Sequence, residues 1–276
     1  MKLNFTRTFL VMAVAVFLYA SCKKASVPPA VSTTKAAAVD YKTLSSTIGT
    51  QFYKSIIGQY GGTDVRKSIT SPYSAYVAAS KKSLFSSVVP LCGSVVDTTY
   101  NTTTGTNPFV DTIKTHFENL HFVYTCDAGQ VDGYLVRDSV VNVANHDLYI
   151  YDTNSVTQNY AVKALDKTYK LVSMDGSLNA YADTKNIEAP TLRSNATNYN
   201  LVGLRVNFAS GTADVTAGTS SFTTTTTDFG PQTNFQTLVT TVSGTIEYLG
   251  NHKVKVTFIP GASYIVDLIT GVATPA

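Results

Sequence analysis

From Gly93 to the C-terminus, apolar and polar residues alternate with a period of two. Side chains of a β-strand point alternately to opposite faces of the sheet, so this spacing predicts strands with one apolar and one polar face. A sheet with one face in water is typical of antiparallel strands. The apolar positions include Leu120, Phe122, Tyr124 and Cys126; Val202, Leu204, Val206 and Phe208; Val242, Ile246 and Tyr248; Val254, Val256 and Phe258; and Tyr264, Val266 and Leu268.

The links between the alternating stretches are short and rich in turn residues. Such links join strands as hairpins in sequence order, and we expect about ten strands in a meander. Parallel crossovers need longer connections, which argues against a parallel sheet. We predict one β domain over residues 92–276, and the stretch from Glu188 to Asn198 is the candidate boundary between two meanders. The turn signals are Asp127-Ala128-Gly129, Asp175-Gly176, Ser210-Gly211, Gly250-Asn251 and Pro260-Gly261.

Residues 39–91 have a different period and form the predicted helical segment. Tyr41, Leu44, Ile48, Phe52 and Ile56 recur at steps of three and four, which places them on one helical face. Such a face covers a sheet or contacts a membrane, and the small number of cations on the polar side favours the sheet.

The ends of this helix also carry signals. Asp40 stands where an N-cap belongs, and Gly61-Gly62 marks the expected end. A second short helix is predicted from Ala75 to Phe85. The fold class is therefore mainly β (α+β): an antiparallel meander sheet, curled, half-barrel or sandwich, covered by an N-terminal amphipathic helix.

The composition excludes several classes of protein. Charged residues make up 14% of the chain, against roughly 25% in ordinary soluble domains, and the formal net charge is +3. Without a basic excess the chain is a poor nucleic-acid ligand, and we predict no nucleic-acid partner. Its 44% hydrophobic content argues against disorder throughout.

The N-terminus predicts export. Lys2 and Arg7 precede an apolar run from Phe9 to Leu18, which is too short to span a bilayer and is typical of a signal peptide over residues 1–21. The small residues Ala20-Ser21 before Cys22 resemble the lipobox of bacterial lipoproteins, although Tyr19 stands where that family usually has Leu. The resemblance implies that Cys22 receives a diacylglyceryl thioether and anchors the mature protein to a membrane.

Residues 22–38 form the predicted lipidated cysteine and flexible tether, with Val27-Pro28-Pro29 in a Ser, Thr and Ala background. Lys23 differs from the acidic residue that retains similar lipoproteins in the inner membrane. We therefore expect a cell-envelope protein of the outer membrane. Since no acidic run follows Cys22, we place it on the periplasmic face.

Cys92 and Cys126 remain after lipidation of Cys22, and an exported compartment permits them to form a disulfide. The alternative is a pair of buried free thiols. Neither cysteine has a nearby Cys or His at ligand spacing, so we predict no metal site there.

The search for chemistry finds no catalytic residue, metal site or cofactor motif. His116 and His121 fall on opposite faces of one predicted strand, and His146 and His252 stand alone. Asp127 and Asp132 flank a glycine as loose calcium ligands would, but a turn explains them better. The chain contains no G-x-S-x-G, P-loop or G-x-G-x-x-G motif.

The run from Thr223 to Thr227 has no alternation. Threonine favours strands, and we predict a polar edge strand here. The alternative is a regular hydroxyl array that binds a glycan or ordered water.

These observations favour a non-catalytic, lipid-anchored envelope protein of binding or scaffolding type. One alternative resembles lipoprotein carriers and receptors in architecture and holds a hydrophobic ligand in a half-barrel. A second is an envelope hydrolase that uses dispersed Asp and His residues. A hydrophobic molecule or a glycan is the expected ligand class.

Overall fold

A computed structural model describes residues 39–66, 92–105, 112–146, 149–259 and 261–276. The predicted signal peptide, Cys22, the tether and the second helix lie outside these residues. Within them, the chain forms helix α1 (Tyr41–Ile56), a short 3-10 turn (Pro231–Thr233) and eleven strands. The strands are β1 (Val95–Thr104), β2 (Ile113–Asp127), β3 (Gln130–His146), β4 (Ile150–Ala164), β5 (Leu171–Asn186), β6 (Thr191–Asn207), β7 (Asp214–Phe229), β8 (Leu238–Gly250), β9 (Lys253–Phe258), β10 (Ser263–Asp267) and β11 (Ala273–Pro275).

The strands form one open antiparallel sheet in sequence order, so the predicted meander is confirmed, with eleven strands instead of about ten. The sheet continues through the candidate boundary after Glu188, because Asn186 pairs with Thr191 across a tight hairpin. The side chain of Asn186 accepts from the backbone N–H groups of Glu188 and Ala189, at 3.0 Å each, and closes this turn.

Helix α1 begins as the sequence predicts and ends earlier. Asp40 caps it by accepting the N–H of Thr43 over 3.1 Å. The helix ends at Ile56, before Gly61-Gly62, because Gly58 adopts a φ of +68° that stops helical propagation. Among the described residues, no helix has the length and apolar character needed to cross a bilayer.

The sheet curls around α1, as contacts of two adjacent helix residues show. The carbonyl of Ile48 accepts from Tyr199 on β6, while Gly49 packs against Val266 on β10. These strands are four positions apart, or about 19 Å in a flat sheet, whereas a helix is only about 10–12 Å wide. The strands must therefore curve, and α1 lies in the concave side.

The apolar face of α1 fills this concave side. Leu44, Ile48, Phe52 and Ile56 are buried, and the ring of Phe52 lies 5.7 Å from that of Tyr199 and 5.3 Å from that of Tyr248. Packing against the sheet is thus the role of the apolar helix face. The fully buried side chains around it include Tyr134, Phe122, Met174, Leu178, Leu201, Leu204, Ile246 and Phe258.

In β6, a residue that was predicted to point inward points outward. Val202 was expected beside Leu204, but Leu201 is 2% exposed and Val202 is 54% exposed. A bulge between Val202 and Arg205, with Gly203 at a φ of +58°, shifts the register by one residue. Simple alternation therefore fails in β6.

The structure contains the disulfide expected between Cys92 and Cys126, with Cα atoms 5.6 Å apart. It ties Cys92, three residues before β1, to the end of β2, beside a register shift between Thr125 and Cys126. The bond thereby fastens the first edge strand of the sheet to its neighbour.

Candidate functional site: the outer polar rows and a buried carboxyl pair

The outer face of the sheet, opposite α1, carries an uninterrupted row of small polar side chains. Its members pair directly from β1 to β8, and each is exposed or half-buried. Strands are about 4.8 Å apart, so the row is roughly 34 Å long on the curved surface. This central row consists of Thr99, Asn119, Ser139, Thr157, Asn179, Asn198, Thr223 and Ser243.

A second row runs parallel to it from β4 to β10. Its members lie two residues along each shared strand, or roughly 7 Å away, and face the same side. Both rows contain only Asn, Ser and Thr, whose hydroxyl and amide groups donate and accept hydrogen bonds without charge. The second row consists of Asn159, Ser177, Asn200, Ser221, Thr245, Thr257 and Ser263.

Neighbouring hydroxyls within this surface already contact one another. Thr223 lies 3.0 Å from Ser243, and Thr225 in the adjoining row lies 3.1 Å from Thr241. A hydroxyl offers one donor and two acceptor positions, so such a pair keeps further capacity for a ligand or for water.

Charged side chains lie beside these rows. The second row continues across β3, β2 and β1 as Arg137, His121 and Asp97, where His121 contacts the Asp97 carboxylate. Beyond the second row, on the same face, Glu247 of β8 pairs with Lys255 of β9. The two uncharged rows therefore form a neutral band with charged residues beside it.

The threonine run belongs to this surface, and the prediction of an edge strand is wrong. Thr223 to Thr227 lie in β7, which pairs with β6 on one side and β8 on the other. Thr223 is exposed, whereas Thr224 is buried and contacts the hydroxyl of Thr197. Thr197 also donates to Gln51 of α1 over 3.0 Å. The inward threonines thus form hydrogen bonds with each other and with α1 inside the protein.

Two carboxyl groups lie together on the opposite, inner face. Glu118 of β2 and Asp138 of β3 are each 1% exposed. Asp138 pairs with Leu120, two residues from Glu118 on the same face of β2, so the two carboxyl groups are close neighbours. We call Glu118 and Asp138 the carboxyl pair.

Burial raises the pKa of Asp138 to about 8, and the negative charge of Glu118 adds to this rise. The Thr63 hydroxyl acts in the opposite sense, since it donates to Asp138 Oδ2 over 3.2 Å. Near neutral pH the Asp138 carboxyl therefore holds its proton in the folded protein.

The segment after α1 covers the carboxyl pair. A Cβ atom on Gly62 would lie 3.1 Å from Gln158 Oε1 and 3.2 Å from Asp138 Oδ2, so a glycine is needed for this close approach. Gln158 of β4 accepts from the backbone N–H of Thr63 over 2.8 Å. Its amide nitrogen donates to the carbonyls of Ser55 and Thr63 over 2.9 and 3.0 Å. Residues 57–66, the latch segment, are thus fastened to β3 and β4.

His116 links the carboxyl pair to the same segment. Asn142 donates its amide N–H to the Tyr60 carbonyl, which fixes its Oδ1 as the acceptor for His116 Nδ1 at 2.7 Å. His116 Nε2 then faces Glu118 Oε2 at 3.3 Å.

The other predicted site residues are dispersed. His121 lies on the outer face, opposite His116, as the strand pattern requires. His146 contacts Asp152 at 3.2 Å, and Asp132 accepts from Thr125 and pairs with Lys163. In the described ranges, no three His, Cys, Asp or Glu side chains come close enough to hold a metal ion.

Sequence reasoning missed both the outer rows and the carboxyl pair. A signal for the pair was present, because Glu118 falls in the same period as Leu120 and Phe122, and Asp138 in that of Val136 and Val140. A carboxyl group in an apolar period indicates a buried polar site. The rows could not be found this way, because they depend on the register of eight strands.

Comparison with known proteins finds no family model that matches the chain, and no similar curated protein or solved structure.

Proposed function

We propose that this is a non-catalytic binding protein of the cell envelope, anchored through lipid on Cys22, whose outer face binds a neutral glycan. The observation that carries the proposal is the register of the two rows, which places only Asn, Ser and Thr side chains along a central row roughly 34 Å long and along a second row beside it from β4 to β10. The lipobox resemblance supports the anchor and an outer-membrane, periplasmic location.

The charge of the band supports a neutral, polyhydroxylated ligand. Hydroxyl and amide groups form hydrogen bonds with sugar hydroxyls. Because the surface is uncharged, no ionic group has to lose its hydration when such a ligand binds. Arg137 and Lys255, beside the rows, would favour anionic ligands only outside the band. A linear chain can follow the curved sheet, whereas a flat crystal lattice such as ice cannot, which favours a glycan over ordered water.

The interior offers less support for the two alternatives. A carrier of hydrophobic molecules needs space on the concave side, where Phe52 and Ile56 of α1 are fully buried against the sheet. A hydrolase needs carboxyl groups that reach a substrate, whereas Gly62 and Thr63 cover Asp138.

The anchor is tested by expressing the full chain in a Gram-negative host with an alkyne-labelled fatty acid. Wild type is expected to incorporate label and to sediment with the outer membrane, whereas Cys22→Ser loses both properties. Cys22→Ser that remains labelled, or wild type that stays unlabelled, would contradict the proposal.

Glycan binding is tested by depletion of the full-length protein on insoluble neutral glucans, cellulose and curdlan, with alginate beads as the charged comparison. The detergent must be a polyoxyethylene type that contains no sugar. The test variant is Thr157→Ala/Asn198→Ala/Thr223→Ala in the central row. The matched control is Asn101→Ala/Thr103→Ala/Thr115→Ala, which removes the same groups from the outer face of β1 and β2.

Wild type and the control are expected to bind at least one neutral glucan, and the central-row variant about tenfold or more weakly, because each lost hydrogen bond contributes about 0.5–1.5 kcal/mol. Asn179→Lys, a single change in the same row, should weaken binding similarly. Equal binding by all variants would overturn the glycan site, as would row-dependent capture on ice in place of glucan.

A further inference from the structure

The latch segment is joined to the sheet by several hydrogen bonds at and around the carboxyl pair. Its Thr63 hydroxyl donates to Asp138, its Thr63 N–H donates to Gln158, and its Tyr60 carbonyl accepts from Asn142. Val65 is its fully buried apolar residue. Because these contacts are polar, the stability of the closed position of the segment depends on the charge of the groups beneath it.

We propose that this contact is a proton-dependent latch: a proton held by Glu118 and Asp138 keeps Gly62 and Thr63 seated on β3 and β4, and its loss releases residues 57–66. The proton leaves to solvent, and no covalent bond changes. This device lies on the inner face, so it is independent of the proposed glycan site on the outer face.

Coulomb repulsion gives the latch its physical basis. With one proton present, the two buried carboxyls carry a single negative charge; without it, two negative charges face each other away from water. Movement of the latch segment would admit water to the pair and relieve this cost. The closed state therefore binds a proton more tightly than the open state, which agrees with the raised pKa of Asp138.

The titratable and charged groups packed around the pair belong to β2, β3, β4 and the latch segment. From β2, His116 contacts Glu118, and its other ring nitrogen bonds to Asn142. From the latch segment, Arg66 forms a close ion pair with Asp64 at 2.7 Å, and Tyr60 contributes a phenol whose pKa is raised by burial. On β4, the residue paired with Asp138 is the uncharged Gln158. Tyr134 and Tyr160 lie on the same inner face of β3 and β4.

The position of the latch suggests what its release would do. Gln158 donates to the last turn of α1 through the Ser55 carbonyl as well as to Thr63. Opening of the latch segment would remove one partner of this bridge and uncover the β3–β4 part of the concave side. A rise in pH would thus open the concave side of the sheet to solvent at β3 and β4.

Hydrogen exchange of the full-length protein tests the latch. Peptides covering residues 57–66 are followed by mass spectrometry from pH 5.5 to 8.5, with intrinsic exchange rates corrected for pH. In wild type, protection of this peptide is expected to fall up to tenfold per pH unit, the limit for opening linked to the loss of one proton. Peptides from β6 to β8 should keep their protection.

Asp138→Asn and Glu118→Gln remove the titrating proton while keeping the shape of the side chain, and each should make protection of residues 57–66 nearly independent of pH. Asp127→Asn, at an exposed hairpin position, is the matched control and should behave as wild type. The proposal is overturned by a wild-type protection that does not change with pH, by Asp138→Asn and Glu118→Gln that both keep the wild-type slope, or by peptides of β6 to β8 that open in step with the segment.

Discussion

The hydroxyl of Tyr199 donates to the carbonyl of Ile48 over 2.8 Å, joining β6 to the middle of α1 across 151 positions of sequence. Tyr199 is 1% exposed, and its ring also packs against Phe52. One side chain therefore provides both the apolar contact and the polar contact that hold the helix in the curled sheet.

Replacement of Tyr199 by Phe tests the polar part of this contact. The ring remains, but the bond to the Ile48 carbonyl is lost, and we expect the free energy of unfolding to fall by about 1–3 kcal/mol. Urea denaturation measures the change. Tyr149→Phe, at a 45% exposed position, is the control and should change stability by less than about 0.5 kcal/mol. Equal effects of the two variants would contradict this assignment.

Gly244→Ala tests the packing between β8 and its neighbours. Gly244 pairs with Phe222 across the strands, and an added Cβ would overlap the Thr257 carbonyl and come within 2.7 Å of the Phe222 ring. We expect a loss of about 1–3 kcal/mol from overpacking. Thr241→Ala, on the exposed side of the same strand, should be much milder in the same urea titration.

The disulfide gives a prediction about the edge of the sheet. Cys92 and Cys126 are 34 positions apart, so the chain-entropy relation gives about 3–4 kcal/mol for their cross-link. Cys92→Ser/Cys126→Ser should lower the unfolding free energy by this order. Mass spectrometry of alkylated, non-reduced protein should show both thiols protected; a free dithiol in the native protein would contradict the bond.

Stability should also depend on pH through Asp138. Its pKa rises from an ordinary 3.8 to about 8 on folding, so between these values the folded state binds more protons than the unfolded state. The stability contributed by this proton is present below pH 4 and is lost as the pH rises through about 8, by up to about 1.4 kcal/mol per unit. The measurement is the difference in unfolding free energy between Asp138→Asn and wild type.

That difference should move in favour of Asp138→Asn from pH 5 to pH 8, whereas Asp127→Asn should run parallel to wild type. A constant difference across this range would show that Asp138 does not titrate with folding. This global measurement complements the exchange experiment, which detects opening of residues 57–66 alone.

The sequence by itself determined the strands, the meander and the helix, because these depend on local periods and short turns. Asp40, Leu44 and Ile48 predicted α1 correctly, and Leu120, Phe122 and Tyr124 predicted the inner face of β2. The end of α1 and the face of Val202 were wrong, because Gly58 and Gly203 adopt positive φ angles that no periodicity reveals.

Only the tertiary structure decided which strands are central and what lies opposite each side chain. Thr223 was assigned to an edge strand, yet it lies in β7, between β6 and β8, and belongs to a row that register extends over eight strands. Glu118 and Asp138 are 20 positions apart, and the β2–β3 pairing brings them together under Gly62. Periodicity fixes the face on which a side chain lies, whereas register and curvature fix its neighbours across the sheet, and these neighbours define both the outer rows and the carboxyl pair.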